Sequence, residues 1–171
     1  RTLLHSMPSG RLLDWLDARN PDAAQLSDIT RYLGKHNGGP QFAILLLDLG
    51  ADMFKLQATF DSLVNGHCKA FNVVVFTTGE LPATTSVRDT VHFVKVSTTN
   101  YADRINQIVA QSTADWLLIA EAGDQFTPSG LLRASLELMG AEGVRAVAMD
   151  EIQRQANGTL VDVFRPGVNL D

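Results

Sequence analysis

Short apolar runs alternate along the chain with segments in which apolar residues recur at helical spacing. Six consecutive apolar residues stand at 42–47, which is typical of a strand buried on both faces of a parallel sheet. Further apolar runs predict strands at 72–76, 91–96, 116–120 and 144–149. Apolar residues spaced three or four apart predict helices over 53–63, 101–109 and 127–139.

Capping residues and turn residues place several element boundaries. Thr127 is the expected N-cap of the third of these helices, with Pro128 as its first residue and Gly140 at its end. Before residue 39, one helix is expected around Trp15, and a second contains Leu26, Ile29 and Leu33 and ends at Gly34. Near the other end, Asn157-Gly158 predicts the turn of a β-hairpin.

The order of these elements predicts the α/β class, with a mostly parallel, Rossmann-like sheet flanked by helices. A helical hairpin precedes the sheet and a β-hairpin follows it. We expect residues 1–39 to form a helical lead-in and residues 40–171 to form the sheet domain. The chain begins without Met and stops after the hairpin, so we expect a fragment that is truncated at its C-terminal end.

Composition narrows the function classes. Of 171 residues, 45% are hydrophobic, which excludes a disordered chain, and no run approaches the roughly 20 apolar residues of a membrane-spanning helix. A net charge of −5 argues against a nucleic-acid partner. One cysteine excludes an internal disulfide, and the four histidines lack metal-ligand spacing. With no signal peptide in view, we expect a cytoplasmic location, and peripheral attachment to the inner face of a membrane stays open.

Acidic residues follow several of the predicted strands. In an open parallel sheet, ligands bind beyond the carboxyl ends of the strands, so these side chains are expected at one edge. The acidic residues concerned are Asp48, Glu121, Asp124, Asp150 and Glu151. Neighbouring carboxylates repel each other unless a cation binds between them or one of them is protonated. Their hard oxygen ligands suit Mg²⁺ or Mn²⁺. Neither a G-x-G-x-x-G dinucleotide motif nor a P-loop is present.

Several segments together resemble the family 2 glycosyltransferases, which have the GT-A fold. The letters FDSL at 60–63 are similar to the family's LDSL, and VVVFTTG at 73–79 is similar to its IIVVDDG. Asn106 falls where the family has the Asn of a helix that often reads ARN, and Glu121-Ala-Gly-Asp124 falls on the acidic Asp-x-Asp segment. The stretch from 148 to 166 is similar to a segment of O-antigen and rhamnan-type members.

The resemblance implies a site for a nucleotide-diphospho-sugar donor and a divalent metal. The implied donor-binding residues are Asp48, Thr77, Thr78, Gly79 and Asn106, and the implied ligands of Mg²⁺ or Mn²⁺ are Glu121 and Asp124. The implied reaction transfers a sugar to a hydroxyl of a glycan or lipid-linked acceptor in polysaccharide biosynthesis. No catalytic base is assigned, because the family's base usually lies beyond the point where this chain stops.

Departures from the family pattern leave two hypotheses open. Thr77 and Thr78 stand where the family has paired aspartates, and Gly123 occupies the third position of the acidic motif. The first hypothesis is the donor-binding portion of a glycosyltransferase, joined to further domains of a longer chain. The alternative is a degenerate GT-A-like domain that acts as a scaffold or partner-binding module. A flavodoxin-like receiver is disfavoured, because no aspartate ends the third strand.

Overall fold

A computed structural model describes residues 18, 20–83, 90–147, 149, 151–157 and 160–163. The chain divides into two compact units. One unit is Ser27–Gly140, and the other combines Arg1–Leu26 with Ala141–Asp171. The helix expected around Trp15 and the second residue of the Asn157-Gly158 turn lie outside the described residues.

The larger unit is built on a four-stranded sheet in which every pairing is parallel. Its strands are β1 (Phe42–Asp48), β2 (Phe71–Thr77), β3 (Val91–Lys95) and β4 (Trp116–Glu121), in the spatial order β3-β2-β1-β4. The sheet confirms the predicted α/β class. In the other unit, β5 (Glu151–Arg154) pairs antiparallel with β6 (Leu160–Val163).

Four helices occur in the described part of the chain. They are α1 (Ala23–Gly34), α2 (Met53–Val64), α3 (Tyr101–Gln111) and α4 (Gly130–Met139). None of the helices within the described ranges is long and apolar enough to cross a bilayer. Helix α2 begins where it does because the Asp52 carboxylate accepts hydrogen bonds from the backbone N–H groups of Phe54, at 3.0 Å, and Lys55, at 3.1 Å.

The predicted start of the last helix is wrong by two residues. Helix α4 begins at Gly130 with Ser129 as N-cap, and not at Thr127 and Pro128. The carbonyl of Pro128 accepts a hydrogen bond from the backbone N–H of His67, at 2.9 Å, so it is engaged by another loop. Residues 127–130 form a turn instead, in which Gly130 N–H donates to the carbonyl of Thr127. Gly140 ends the helix, as predicted.

The strand predicted over 144–149 is also wrong where the structure describes it. Residues 144–147 form no strand, and their side chains are exposed. Val144 is 42% exposed and Val147 is 55% exposed, so the apolar run buries little surface and lacks the packing that stabilises a central strand. Positions 148 and 150 lie outside the described residues.

The two faces of the sheet pack against different helices. On one face, Leu45 and Phe76 pack with Ile105 and Ile108 of α3. Helix α2 lies on the other face, where the Phe60 ring meets the Phe93 ring edge to face at 6.5 Å. The first turn of α2 lies beside the carboxyl ends of β1 and β2. In open α/β sheets, ligands bind at this edge.

Candidate functional site

A cavity of about 250 Å³ lies where β1 and β2 end, beside the first turn of α2. Its apolar wall includes Met53 and Leu56 of α2 and Phe93 of β3. Its polar lining consists of Asp48, Thr77, Gly79 and Glu80. A site with one apolar wall and a few converging polar groups is the usual form of a small-molecule pocket.

Asp48 lines this cavity and is only 2% exposed. Its Oδ2 accepts a hydrogen bond from the Thr77 hydroxyl at 2.8 Å, and its Oδ1 accepts one from the backbone N–H of Asp52 at 3.0 Å. Within the described ranges, no cationic side chain lies within 4 Å of its carboxylate. Hydrogen bonds alone therefore satisfy this buried carboxylate, and its remaining lone pairs can accept from a ligand N–H or O–H.

The loop after β2 is held by a chain of hydrogen bonds. The Thr77 hydroxyl accepts from the backbone N–H of Gly79 at 2.9 Å, and the Thr78 hydroxyl donates to the carbonyl of Leu49 at 3.0 Å. Lys95 Nζ donates to the carbonyl of Thr78 at 2.7 Å and to that of Gly79. Residues 77–79 are therefore held in a defined shape by hydrogen bonds within the protein.

Close packing explains why a glycine occupies position 79. A Cβ at Gly79 would stand 3.2 Å from the Cβ of Ala51 and 3.2 Å from Thr77 Oγ1. Ala51 itself adopts a positive φ of 50°, which is uncommon for a residue other than glycine. The backbone turns tightly at this point, and the small residues leave the mouth of the cavity open.

The acidic loop after β4 is built mainly from local hydrogen bonds. Asp124 Oδ2 accepts from the backbone N–H of Glu121 at 2.8 Å, and Asp124 N–H donates to the carbonyl of Glu121 at 2.9 Å. Helix α2 also holds the loop, because Thr59 Oγ1 accepts a hydrogen bond from Gly123 N–H at 3.0 Å. Both carboxylate side chains are exposed, in contrast to Asp48.

Glu121 and Asp124 fit a divalent ion only if a ligand completes its coordination. Across the described residues, no cluster of three or more His, Cys, Asp or Glu side chains forms a ready-made metal centre. Mg²⁺ is commonly held by one or two carboxylates together with waters and the phosphates of a substrate. One oxygen of Asp124 already caps Glu121, so the pair offers two carboxylates and leaves the other positions to the ligand.

The structure brings together four of the five predicted donor-binding residues. Asp48, Thr77 and Gly79 line the cavity, and Thr78 is bonded to its rim, where its N–H donates to the carbonyl of Asp48 at 3.3 Å. Asn106 is exposed on α3, which packs on the opposite face of the sheet, and does not line the cavity. Asp150 lies outside the described residues, and Glu151 begins β5 in the other unit.

The sequence analysis missed several residues of the site. Asp52 stands directly before a helical pattern, which is a standard N-cap signal, and its backbone N–H binds Asp48. Phe93 and Lys95 share one face of β3, which alternation along that strand could have indicated. Glu80 follows the end of β2, so the same strand-end rule that indicated Asp48 could have indicated it.

No family model matches the chain, and no curated protein matches it. The assignment of the fold rests on the parallel sheet and its helices. The functional argument rests on the cavity at the ends of β1 and β2, on the acidic loop, and on the motifs quoted above.

Proposed function

We propose that this chain is the donor-binding portion of a glycosyltransferase of the GT-A type. It binds a nucleotide-diphospho-sugar, and the reaction transfers the sugar to a hydroxyl of a glycan or lipid-linked acceptor. The observation that carries the proposal is the cavity at the carboxyl ends of β1 and β2, which the buried Asp48 helps to line. In open α/β sheets this edge is where ligands bind.

The lining of the cavity suits a nucleoside better than a phosphate. Phe93, Met53 and Leu56 offer an apolar surface for the flat face of a base. Asp48 and Glu80 offer acceptors for base or ribose donors, and both would repel a phosphate. The nucleoside therefore enters the cavity, and its phosphates point out of it.

The acidic loop lies on the other side of β1 from β2. Neighbouring strands are about 4.8 Å apart, so the ends of β2 and β4 are separated by roughly 10 Å, a distance that a nucleoside diphosphate can bridge. In this proposal Glu121 and Asp124 hold Mg²⁺ or Mn²⁺ against the diphosphate. When bound, the ion supplies charge stabilisation to the leaving diphosphate.

One set of contacts favours the alternative of a degenerate scaffold. The Thr77 hydroxyl both donates to Asp48 and accepts from Gly79, and the Thr78 hydroxyl is engaged by Leu49. Asp124 also uses one of its oxygens on its own loop. A site whose polar groups are satisfied internally has less to offer a ligand. In this alternative the same edge of the sheet would contact a partner protein.

A thermal-shift screen distinguishes the glycosyltransferase proposal from the scaffold alternative. UDP, GDP, dTDP and CDP are each added with and without Mn²⁺, and ligand at 100 times its dissociation constant should add about 2.7 kcal/mol of stability. The enzyme proposal predicts a metal-dependent shift with one nucleotide that is lost in Glu121→Ala and Asp124→Ala. No shift with any nucleotide, from a folded sample, would favour the scaffold. Unchanged nucleotide affinity in both variants would exclude the metal assignment.

A further inference from the structure

Lys55 lies beside the acidic loop and forms no ion pair with any of the described residues. Its side chain is exposed, and its stem lies over Gly123, where an added Cβ would be 3.5 Å from Lys55 Cγ and Cδ. The only ion pair within the described residues joins Arg31 to Asp28 in helix α1 and does not involve Lys55. The Lys55 stem therefore lies beside Gly123, which stands between Glu121 and Asp124 in the β4 loop, and within the described residues its ammonium forms no ion pair.

Helix α2 places this lysine between the two parts of the proposed site. Met53 and Leu56 of the same helix line the cavity. Lys55 and Thr59, one turn apart, lie toward the β4 loop, where Thr59 accepts from Gly123 N–H. A ligand that extends from the cavity to the acidic loop passes across the first turn of α2, within reach of the Lys55 side chain.

The carboxylates at this edge of the sheet would repel an anionic ligand, so a cationic side chain such as Lys55 would favour its binding. Asp48 and Glu80 line the cavity, and Glu121 and Asp124 stand in the loop beyond it. Lys95, the other lysine at this end of the sheet, already donates to two backbone carbonyls. Four carboxylates repel a diphosphate unless positive charge is added nearby.

We infer that Lys55 binds the phosphate groups of the donor through its ammonium and acts together with any ion held by the acidic loop. The inference rests on the proposed function for the path of the diphosphate. It assigns a charge-assisted contact to a residue that none of the quoted motifs contains. Gly123 itself adopts a positive φ of 104°, which favours glycine, and the Lys55 stem packs beside it at ordinary van der Waals distance.

The test compares Lys55→Met with the wild-type chain for pyrophosphate and for UDP, GDP, dTDP and CDP, each nucleotide paired with its own nucleoside. Methionine keeps the stem and a high helix propensity, so α2 should stay folded, as circular dichroism would check. We expect affinity for the diphosphates and for pyrophosphate to fall about tenfold, and affinity for the nucleosides to stay unchanged. Lys55→Arg should recover most of the loss, because it restores the charge.

Lys35→Met is the matched control, because it removes the same charge from an exposed turn elsewhere in the unit. It should leave every affinity unchanged. Equal losses for nucleoside and diphosphate, or equal losses in the two methionine variants, would overturn the inference while leaving the proposed function intact. Pyrophosphate binding that depends on Lys55, without nucleotide binding, would support the inference and contradict the proposed function. Absence of binding to every probe would overturn both.

Discussion

The ends of β1 and β2 and the loop after β4 present polar residues at the same edge of the sheet, but they are built in different ways. At the first, the buried carboxylate of Asp48 joins two strands and a helix through hydrogen bonds to Thr77 and Asp52. At the second, the exposed carboxylate of Asp124 bonds to Glu121, three residues away. Substitutions in the first region should therefore lower the stability of the fold, whereas substitutions of the exposed carboxylates in the second should have little effect on stability.

Asp48→Ala should have the largest effect on stability. It leaves the Thr77 hydroxyl and the Asp52 N–H without their acceptor, so we expect the free energy of unfolding to fall by about 3 kcal/mol. Urea denaturation measures this change. Asp48→Asn, which keeps the shape and one carbonyl acceptor, should cost clearly less. A stability within about 0.5 kcal/mol of wild type for the alanine variant would show that the hydrogen bonds of Asp48 do not hold this region together.

Gly79→Ala should have the next largest effect. Its Cβ would stand 3.2 Å from two atoms at the cavity mouth, so we expect a loss of about 1.5 kcal/mol and weaker nucleotide binding. Gly50→Ala is the matched control, because a Cβ there meets nothing within 4 Å and should change stability by less than about 0.5 kcal/mol. Equal behaviour of the two variants would contradict the tight packing assigned to the β2 loop.

Thr59→Val tests how firmly α2 supports the acidic loop. Valine has the same shape but leaves Gly123 N–H without its acceptor, so we expect a loss of about 1 kcal/mol. Thr113→Val, at an exposed position, is the comparison variant. If the two substitutions have the same effect on unfolding, the loop does not depend on this contact.

Asp124→Ala should have the smallest effect on stability and the most selective effect on binding. The carboxylate is exposed and caps one N–H, so we expect a stability loss of no more than about 0.5 kcal/mol. Metal-dependent nucleotide affinity should disappear, while binding of the nucleoside alone persists. A large stability loss would remove the contrast between the two regions.

The sheet could be predicted from sequence because its apolar runs report directly on burial. The run at 42–47 becomes β1, with Ile44 and Leu46 fully buried. The segment 144–147, in which Arg145 interrupts the apolar residues, forms no strand and stays exposed. The start of α4 was misplaced because the carbonyl of Pro128 bonds to His67, a contact between distant residues that no local pattern encodes.

The candidate site could be predicted only in part. The rule that ligands bind beyond strand ends led to Asp48, and the motif resemblance implied Thr77 and Gly79; all three line the cavity. Asn106 came from the motif resemblance, and its helix packs on the other face of the sheet. Phe93 and Glu80 complete the lining, and the sequence shows the face of β3 or the strand end on which each lies but not that both meet Asp48 at one cavity.

The location of nucleotide binding is the most direct test of the proposed function. Backbone amide shifts in ¹H–¹⁵N spectra can be followed while UDP, GDP, dTDP or CDP is added to the whole chain, first without and then with Mg²⁺. We predict that one nucleotide shifts the amides of Asp52, Gly79 and Phe93, and that the metal extends the shifts to Glu121 and Asp124. Shifts confined to α3 around Asn106, or no shift with any of the four nucleotides, would contradict a donor site at the ends of β1 and β2.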